Sequence, residues 1–92
     1  MAWDEISWGR HLRNVRGALT KRDFLLRAEG ARPSPPGRRS ETWRECRAWS
    51  ATAKANLRRL ASLAREAPDG RKARETVTRL ERWYKEPDLF PN

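Results

Sequence analysis

Apolar side chains recur along much of this chain at alternating steps of three and four residues, the spacing of one face of an α-helix. The clearest series, here called the apolar stripe, consists of Trp43, Cys46, Ser50, Ala53, Leu57, Leu60, Ala64 and Ala67. A second series repeats the same rhythm one residue later and is mostly basic: Arg44, Arg47, Ala51, Lys54, Arg58, Ala61 and Arg65. The first stripe is expected to pack against the protein and the second to face a negatively charged partner.

These two stripes predict one long helix over about 41–66. Thr42 and Glu45 have the spacing of a capping box, so the helix is expected to begin at Ser40 or Thr42. Pro68-Asp69-Gly70 is a turn sequence and is expected to end it.

Three shorter helices are predicted over about 4–18, 21–29 and 70–85. For the first, Ser7 is a possible cap, or Asp4 and Glu5 form its first turn. A Thr20–Asp23 pair predicts a new start before the second. The residues expected to point inward are Trp8, Leu12, Val15 and Leu19 in the first helix, Phe24, Leu25 and Ala28 in the second, and Ala73, Val77, Leu80 and Tyr84 in the last.

A proline- and glycine-rich segment over about 30–39 separates the second helix from the long one and is expected to exclude helix and central strand alike. No segment alternates as a strand does. The chain is therefore predicted to be all-α, a small antiparallel bundle of about four helices without a sheet. Residues 1–92 would form a single domain with an internal linker at about 30–39.

The charge is strongly positive. Twenty-one Lys and Arg stand against 12 Asp and Glu, a net charge of +9. Seventeen of the 21 are Arg, whose planar fork of donors grips phosphate with two hydrogen bonds and stacks on bases. This balance favours nucleic acid, an acidic protein surface or an anionic membrane as partner. Arg-rich coding by a GC-rich genome would produce the same excess without a partner.

Nine basic residues on two helical rows are predicted to contact the phosphate backbone: Arg44, Arg47, Lys54, Arg58 and Arg65 on the long helix, with Arg71, Arg74, Arg82 and Lys85 on the last. A solvated face that binds nothing is the alternative for such rows.

The five tryptophans divide into two groups. Trp8, Trp43 and Trp83 lie on or near apolar stripes and are predicted to be core. Trp49 lies at the edge of its stripe and Trp3 outside any periodic face, so both are predicted to stack on a base or to anchor a partner.

Few residues offer chemistry. Cys46 is the single cysteine and is expected to be an inert core thiol, and His11, the single histidine, has no second ligand at metal-binding spacing. No nucleophile–base pair or phosphate-binding glycine loop is present. We expect no enzyme activity, cofactor, metal or small-molecule substrate. No apolar run is long enough for a membrane span and the first residues do not resemble a signal peptide, so a cytoplasmic location without membrane contact is predicted.

The end of the chain is apolar. Asp88-Leu89-Phe90 resembles the end of the bacterial sliding-clamp-binding peptide, but Glu86 and Pro87 stand where that peptide has Gln and Leu. We instead expect Leu89 and Phe90 to fold back over the end of the bundle.

The sequence thus favours a small non-catalytic protein that binds the backbone of DNA or RNA, as an accessory subunit docked to larger protein subunits of a nucleoprotein complex. The alternative is a protein–protein module, such as an inhibitor, adaptor or assembly factor of phage or plasmid origin, that clamps an acidic surface. A sequence-specific helix-turn-helix fits less well, because the 30–39 segment is much longer than the turn of that motif.

Overall fold

The computed structural model describes residues 3–31 and 35–88. They form three helices, α1 (Glu5–Ala31), α2 (Pro36–Ala64) and α3 (Gly70–Lys85), and contain no strand. The prediction of an all-α chain is confirmed, and so are the bounds of the last helix. The number of helices is three instead of the expected four. Leu89 and Phe90 lie outside the described residues.

The two helices predicted over 4–18 and 21–29 are one continuous helix, α1. Its first turn is capped by Asp4, whose Oδ1 accepts a hydrogen bond from the Ile6 amide (3.1 Å) and whose Oδ2 accepts one from the Ser7 hydroxyl (2.6 Å). The bond from Ser7 is the main reason why the pKa of Asp4 lies below its usual value. The predicted start at Thr20–Asp23 is wrong because Asp23 is buried and bonds to α3 instead.

Helix α2 begins at Pro36, earlier than the predicted Ser40 or Thr42, and ends at Ala64. A proline in the first turn costs little, since its missing amide hydrogen has no partner there anyway. The Thr42 hydroxyl donates to the Arg38 carbonyl one turn back (3.1 Å), so the expected capping box does not form. Residues 30, 31 and 36–39, which were predicted to belong to the linker, are therefore helical, and residues 32–34 lie outside the described part of the chain.

One small core holds the three helices together. It is built from Val15, Ala18 and Leu19 of α1, Ala53, Leu57, Leu60 and Ala64 of α2, and Ala73, Val77 and Leu80 of α3. Trp8, Trp49, Trp83 and Tyr84 are partly buried around it. The large aromatic groups thus enclose a core of small and medium side chains, with α1 and α2 sharing the largest interface.

The third helix is much shorter than the other two. At about 1.5 Å per residue, α3 spans about 24 Å and α2 about 43 Å. The last turn of α3 lies beside Arg22 of α1, because the Arg22 guanidinium donates to the carbonyls of Trp83 (2.9 Å) and Tyr84 (2.8 Å). Residues 24–31 and 36–48 therefore extend past the end of α3 as a two-helix hairpin, called the arm below.

The arm explains three wrong predictions of burial. Phe24 is 63% exposed, Trp43 is 52% exposed and Ala28 is also exposed. All three residues lie on the apolar face of their helix, as the periodicity predicts. They stay exposed because α3 ends before it reaches them. Cys46, at the base of the arm, is buried at 4% exposure.

Candidate nucleic-acid interface

The predicted basic row of α2 lies on the surface. Arg44, Arg47, Lys54, Arg58 and Arg65 are all exposed. Arg44 and Arg65 are 21 positions apart, about 32 Å at the helical rise, and Arg65 is the C-cap residue that directly follows Ala64. None of these five residues takes part in the ion pairs recorded among residues 3–31 and 35–88. Their charges are therefore not neutralised by a recorded carboxylate partner within the described chain.

The row is not evenly filled. Arg44 and Arg47 are one turn apart on the arm, and Lys54 and Arg58 are one turn apart beside the core. Ala51 separates the two pairs, and Ala61, which packs against the core, separates the second pair from Arg65. The surface thus offers two cationic pairs and one cation at the end of α2.

The predicted row of α3 is also exposed. Arg71, Arg74 and Arg82 line a shallow depression of about 420 Å³, together with Glu75, Thr78 and Arg79. Lys85 is exposed and does not line it. Arg71 Nε lies 3.5 Å from Glu75 Oε1, an exposed ion pair one turn apart, so the charge of Arg71 is partly compensated.

Arg79 also lines the depression, although it is not among the nine predicted residues. It lies three residues before Arg82 and four after Glu75, so the helical spacing places it on the same face as those two residues. Its position next to Thr78 and four residues after Glu75 was the sequence signal that could have identified it as part of this site.

The two rows do not share one pocket. The lining of the depression comes from α3 alone, so none of the five basic residues of α2 contributes to it. The nine predicted residues therefore do not line one common depression, and each row is exposed along its own helix.

Trp49 and Trp3, the predicted stacking residues, are both partly buried. Trp49 packs against the core, and the Lys21 ammonium lies 5.5 Å from the centre of its ring. This cation–π contact occupies a face that a base would need. Trp49 thus uses part of its surface for packing, and its role in stacking stays a prediction.

Trp3 lies at the opposite end of the molecule from the arm. Its ring is 5.3 Å from that of Trp8, tilted by 44°. The two rings line an open pocket of about 380 Å³ between the start of α1 and the start of α3, with Glu5, Asp69 and Lys72 among the other lining residues. Trp3 is thus grouped with an aromatic pocket and not with either basic row.

Trp43 is the tryptophan that lies beside the basic row. It was predicted to be core, and it is instead half-exposed on the arm, next in sequence to Arg44 and one turn before Arg47. The one sequence signal for its exposure was its place at the first position of the apolar stripe, because the end of a stripe can extend past the helix that covers the rest.

The groups with chemical reactivity are engaged in packing. Burial, with a smaller contribution from the Glu45 carboxylate, raises the pKa of the Cys46 thiol above its ordinary value. The His11 Nδ1 atom is 2.8 Å from Asn56 Oδ1, which links α1 to α2. Within the described ranges no three His, Cys, Asp or Glu side chains lie together as metal ligands.

No described helix has the length and apolar character of a membrane span. Comparison of the chain with protein-family models, curated proteins and solved structures found no match. The features that bear on function are those of the chain itself: two exposed basic rows and one exposed tryptophan beside the longer row.

Proposed function

We propose that this protein binds the phosphate backbone of nucleic acid through the exposed basic residues of α2 and α3. The observation that carries the proposal is that all nine predicted residues are exposed, while only Arg71 takes part in a recorded ion pair within the described chain. Cations that lack an internal partner are available to replace the counterions condensed on DNA or RNA, and the release of those counterions favours binding.

The charge distribution supports this proposal. Helix α3 carries six Lys and Arg against two Glu in 16 residues, and the buried pair Arg22–Asp23 contributes no net charge. Most of the excess charge therefore lies on exposed surface. Because arginine predominates, bidentate contacts with phosphate are available along both helices.

The small size of the core supports a role inside a larger assembly. The described core consists largely of Ala, Val and Leu, and the arm extends from it with little apolar contact of its own. We therefore propose a non-catalytic accessory subunit of a cytoplasmic nucleoprotein complex, in which larger protein subunits contact the same chain.

Salt dependence of binding tests this function. Fluorescence anisotropy with labelled DNA and RNA oligonucleotides should give affinities that fall steeply with salt, with a slope of about 0.9 per duplex phosphate neutralised. Removal of Arg47, Arg58 and Arg65 together should weaken binding to all sequences and flatten the slope.

The control for that experiment is a variant with the same change in net charge elsewhere. Arg10, Arg13 and Arg16 are exposed on α1 and belong to neither row. Their triple Ala variant should keep most of the affinity and the slope. Binding that is insensitive to salt, or equal losses in the two triple variants, would contradict a defined interface.

A second candidate function is a protein–protein module that clamps an acidic partner surface with the same basic rows. The pocket lined by Trp3 and Trp8 favours it, because aromatic pockets of this kind accept an anchoring side chain. Affinity capture from cells, with and without nuclease, separates the two candidates. A protein partner that stays bound after nuclease treatment would favour this one.

A further inference from the structure

Trp43 presents a large aromatic surface to solvent in a strongly basic setting. Its side chain is 52% exposed, and it lies on the arm, where α3 does not reach. The neighbours of a helical residue on the surface are those three and four positions away. For Trp43 these are Arg39, Ser40, Cys46 and Arg47, two cations and no carboxylate.

The two cations have different roles. Arg39 Nε lies 3.4 Å from Glu29 Oε1 of α1, so this guanidinium ties the two helices of the arm together. Arg47 is exposed and takes part in no recorded ion pair within the described ranges, and the same holds for Arg44. Trp43 is thus held on a braced hairpin beside one available cation, Arg47, and Arg44 lies one turn before Arg47 on the adjacent face of the helix.

The other exposed aromatic group of the arm lacks this setting. Phe24 of α1 is 63% exposed, but its basic neighbours are Lys21, which lies over the Trp49 ring, and Arg27, which is partly buried. An exposed aromatic ring and an available cation therefore coincide at Trp43 and not at Phe24.

Such a combination fits an unpaired base attached to its phosphates. In a duplex each base is already stacked on its neighbours, whereas in a single strand a base offers its face to an aromatic side chain while cations follow the backbone. Exposure of Trp to water is also unfavourable, because its side chain has one of the largest apolar surfaces of any residue. A bound base would remove that surface from water.

We propose that Trp43 is a base-stacking residue and that the ligand of the arm is single-stranded nucleic acid, with Arg44 and Arg47 on the flanking phosphates. This inference rests on the proposed function and makes it more specific. The ring binds any base, so the site selects unpaired strands without selecting a sequence.

The test compares labelled oligothymidylate with a mixed-sequence duplex of equal length, over a range of salt concentrations. Trp43→Ala should weaken binding of the single strand about tenfold, change duplex binding little and leave the salt slope unchanged, because stacking releases no counterion. Trp43→Phe should retain most of the affinity. Phe24→Ala, the matched control, should bind like the wild-type protein.

The Arg44→Ala/Arg47→Ala variant separates this inference from the proposed function. It should weaken binding of both ligands and flatten the salt slope. If that variant behaves as expected but Trp43→Ala binds oligothymidylate like the wild type, the stacking inference is wrong and backbone binding stands. If neither ligand binds in a salt-dependent way, both the stacking inference and the proposed function are wrong. If Trp43→Ala loses binding to a protein partner but not to nucleic acid, the ring belongs to a protein interface.

Discussion

The Asp23 carboxylate of α1 accepts a hydrogen bond of 2.6 Å from the indole nitrogen of Trp83, near the end of α3. The same oxygen accepts the backbone amide of Asp88 (3.0 Å), and the other oxygen accepts from the Arg22 side chain (3.0 Å). Arg22 in turn donates to two carbonyls at the end of α3. Arg22 and Asp23 are at most 3% exposed. A buried, fully paired polar cluster thus fixes the end of α3 against α1, where the apolar core is thin.

Removal of Asp23 should destabilise the fold strongly. Asp23→Ala leaves the Arg22 charge buried without its partner, and such losses cost about 3–5 kcal/mol. Trp83→Phe keeps the ring but removes the donor, and should cost about 1.5–3 kcal/mol as the loss of a bond to a charged group. Urea unfolding followed by circular dichroism measures both.

Glu75→Ala is the control for this cluster. It also breaks an ion pair, but an exposed one, which is worth at most about 1 kcal/mol. If Asp23→Ala and Trp83→Phe changed the free energy of unfolding no more than Glu75→Ala, the cluster would not be what holds α3 in place.

Replacement of Gly17 by Ala should stabilise the protein. Gly17 lies in the middle of α1, is exposed, and a Cβ atom there meets nothing within 4 Å. Glycine in a helix interior costs about 0.5–1 kcal/mol relative to alanine, so the melting temperature should rise by about 2–8 °C. The position of Gly17 near the predicted break at 18–21 makes the test informative. A helix interrupted there would gain nothing from alanine.

Some features of the fold follow from local sequence and others do not. The bounds of α3 were predictable, because Pro68-Asp69-Gly70 and Pro87 flank a regular apolar pattern and Asp69 caps the helix at the Lys72 amide (3.1 Å). The continuity of α1 was not, because the Thr20–Asp23 spacing predicts a helix start only if Asp23 is free to cap it, and Asp23 is instead buried against α3.

The candidate site also has features that the sequence predicts and features that it does not. The exposure of the basic rows follows from their offset from the apolar stripe. The exposure of Trp43 depends on where α3 ends relative to α2, and periodicity within α2 contains no information about the length of a neighbour. Arg22 and Asp23 were missed because charged residues in sequence are expected in solvent, and only a distant partner such as Trp83 makes their burial favourable.

Cys46 should react slowly with thiol reagents while the protein is folded. It is 4% exposed, and its raised pKa means that less thiolate is present near pH 8 than for a free thiol. Because burial favours the protonated form, stability should also fall as the pH rises past the ordinary pKa of a cysteine thiol. Ellman's reagent, with and without urea, measures the reaction. Rapid labelling of the folded protein would show that the arm opens at its base.

The final prediction concerns the charge balance of the α3 depression. Glu75→Gln removes the carboxylate that compensates Arg71 and leaves a side chain of nearly the same size. Affinity for oligonucleotides should rise, with a salt slope steeper by up to about one phosphate contact, because Arg71 becomes available. Glu5→Gln is the matched control, an exposed α1 carboxylate outside the depression, in neither basic row and without a recorded ion pair in the described ranges. Equal gains in the two variants would mean that only net charge matters, whereas a gain specific to Glu75→Gln would assign the depression to the interface.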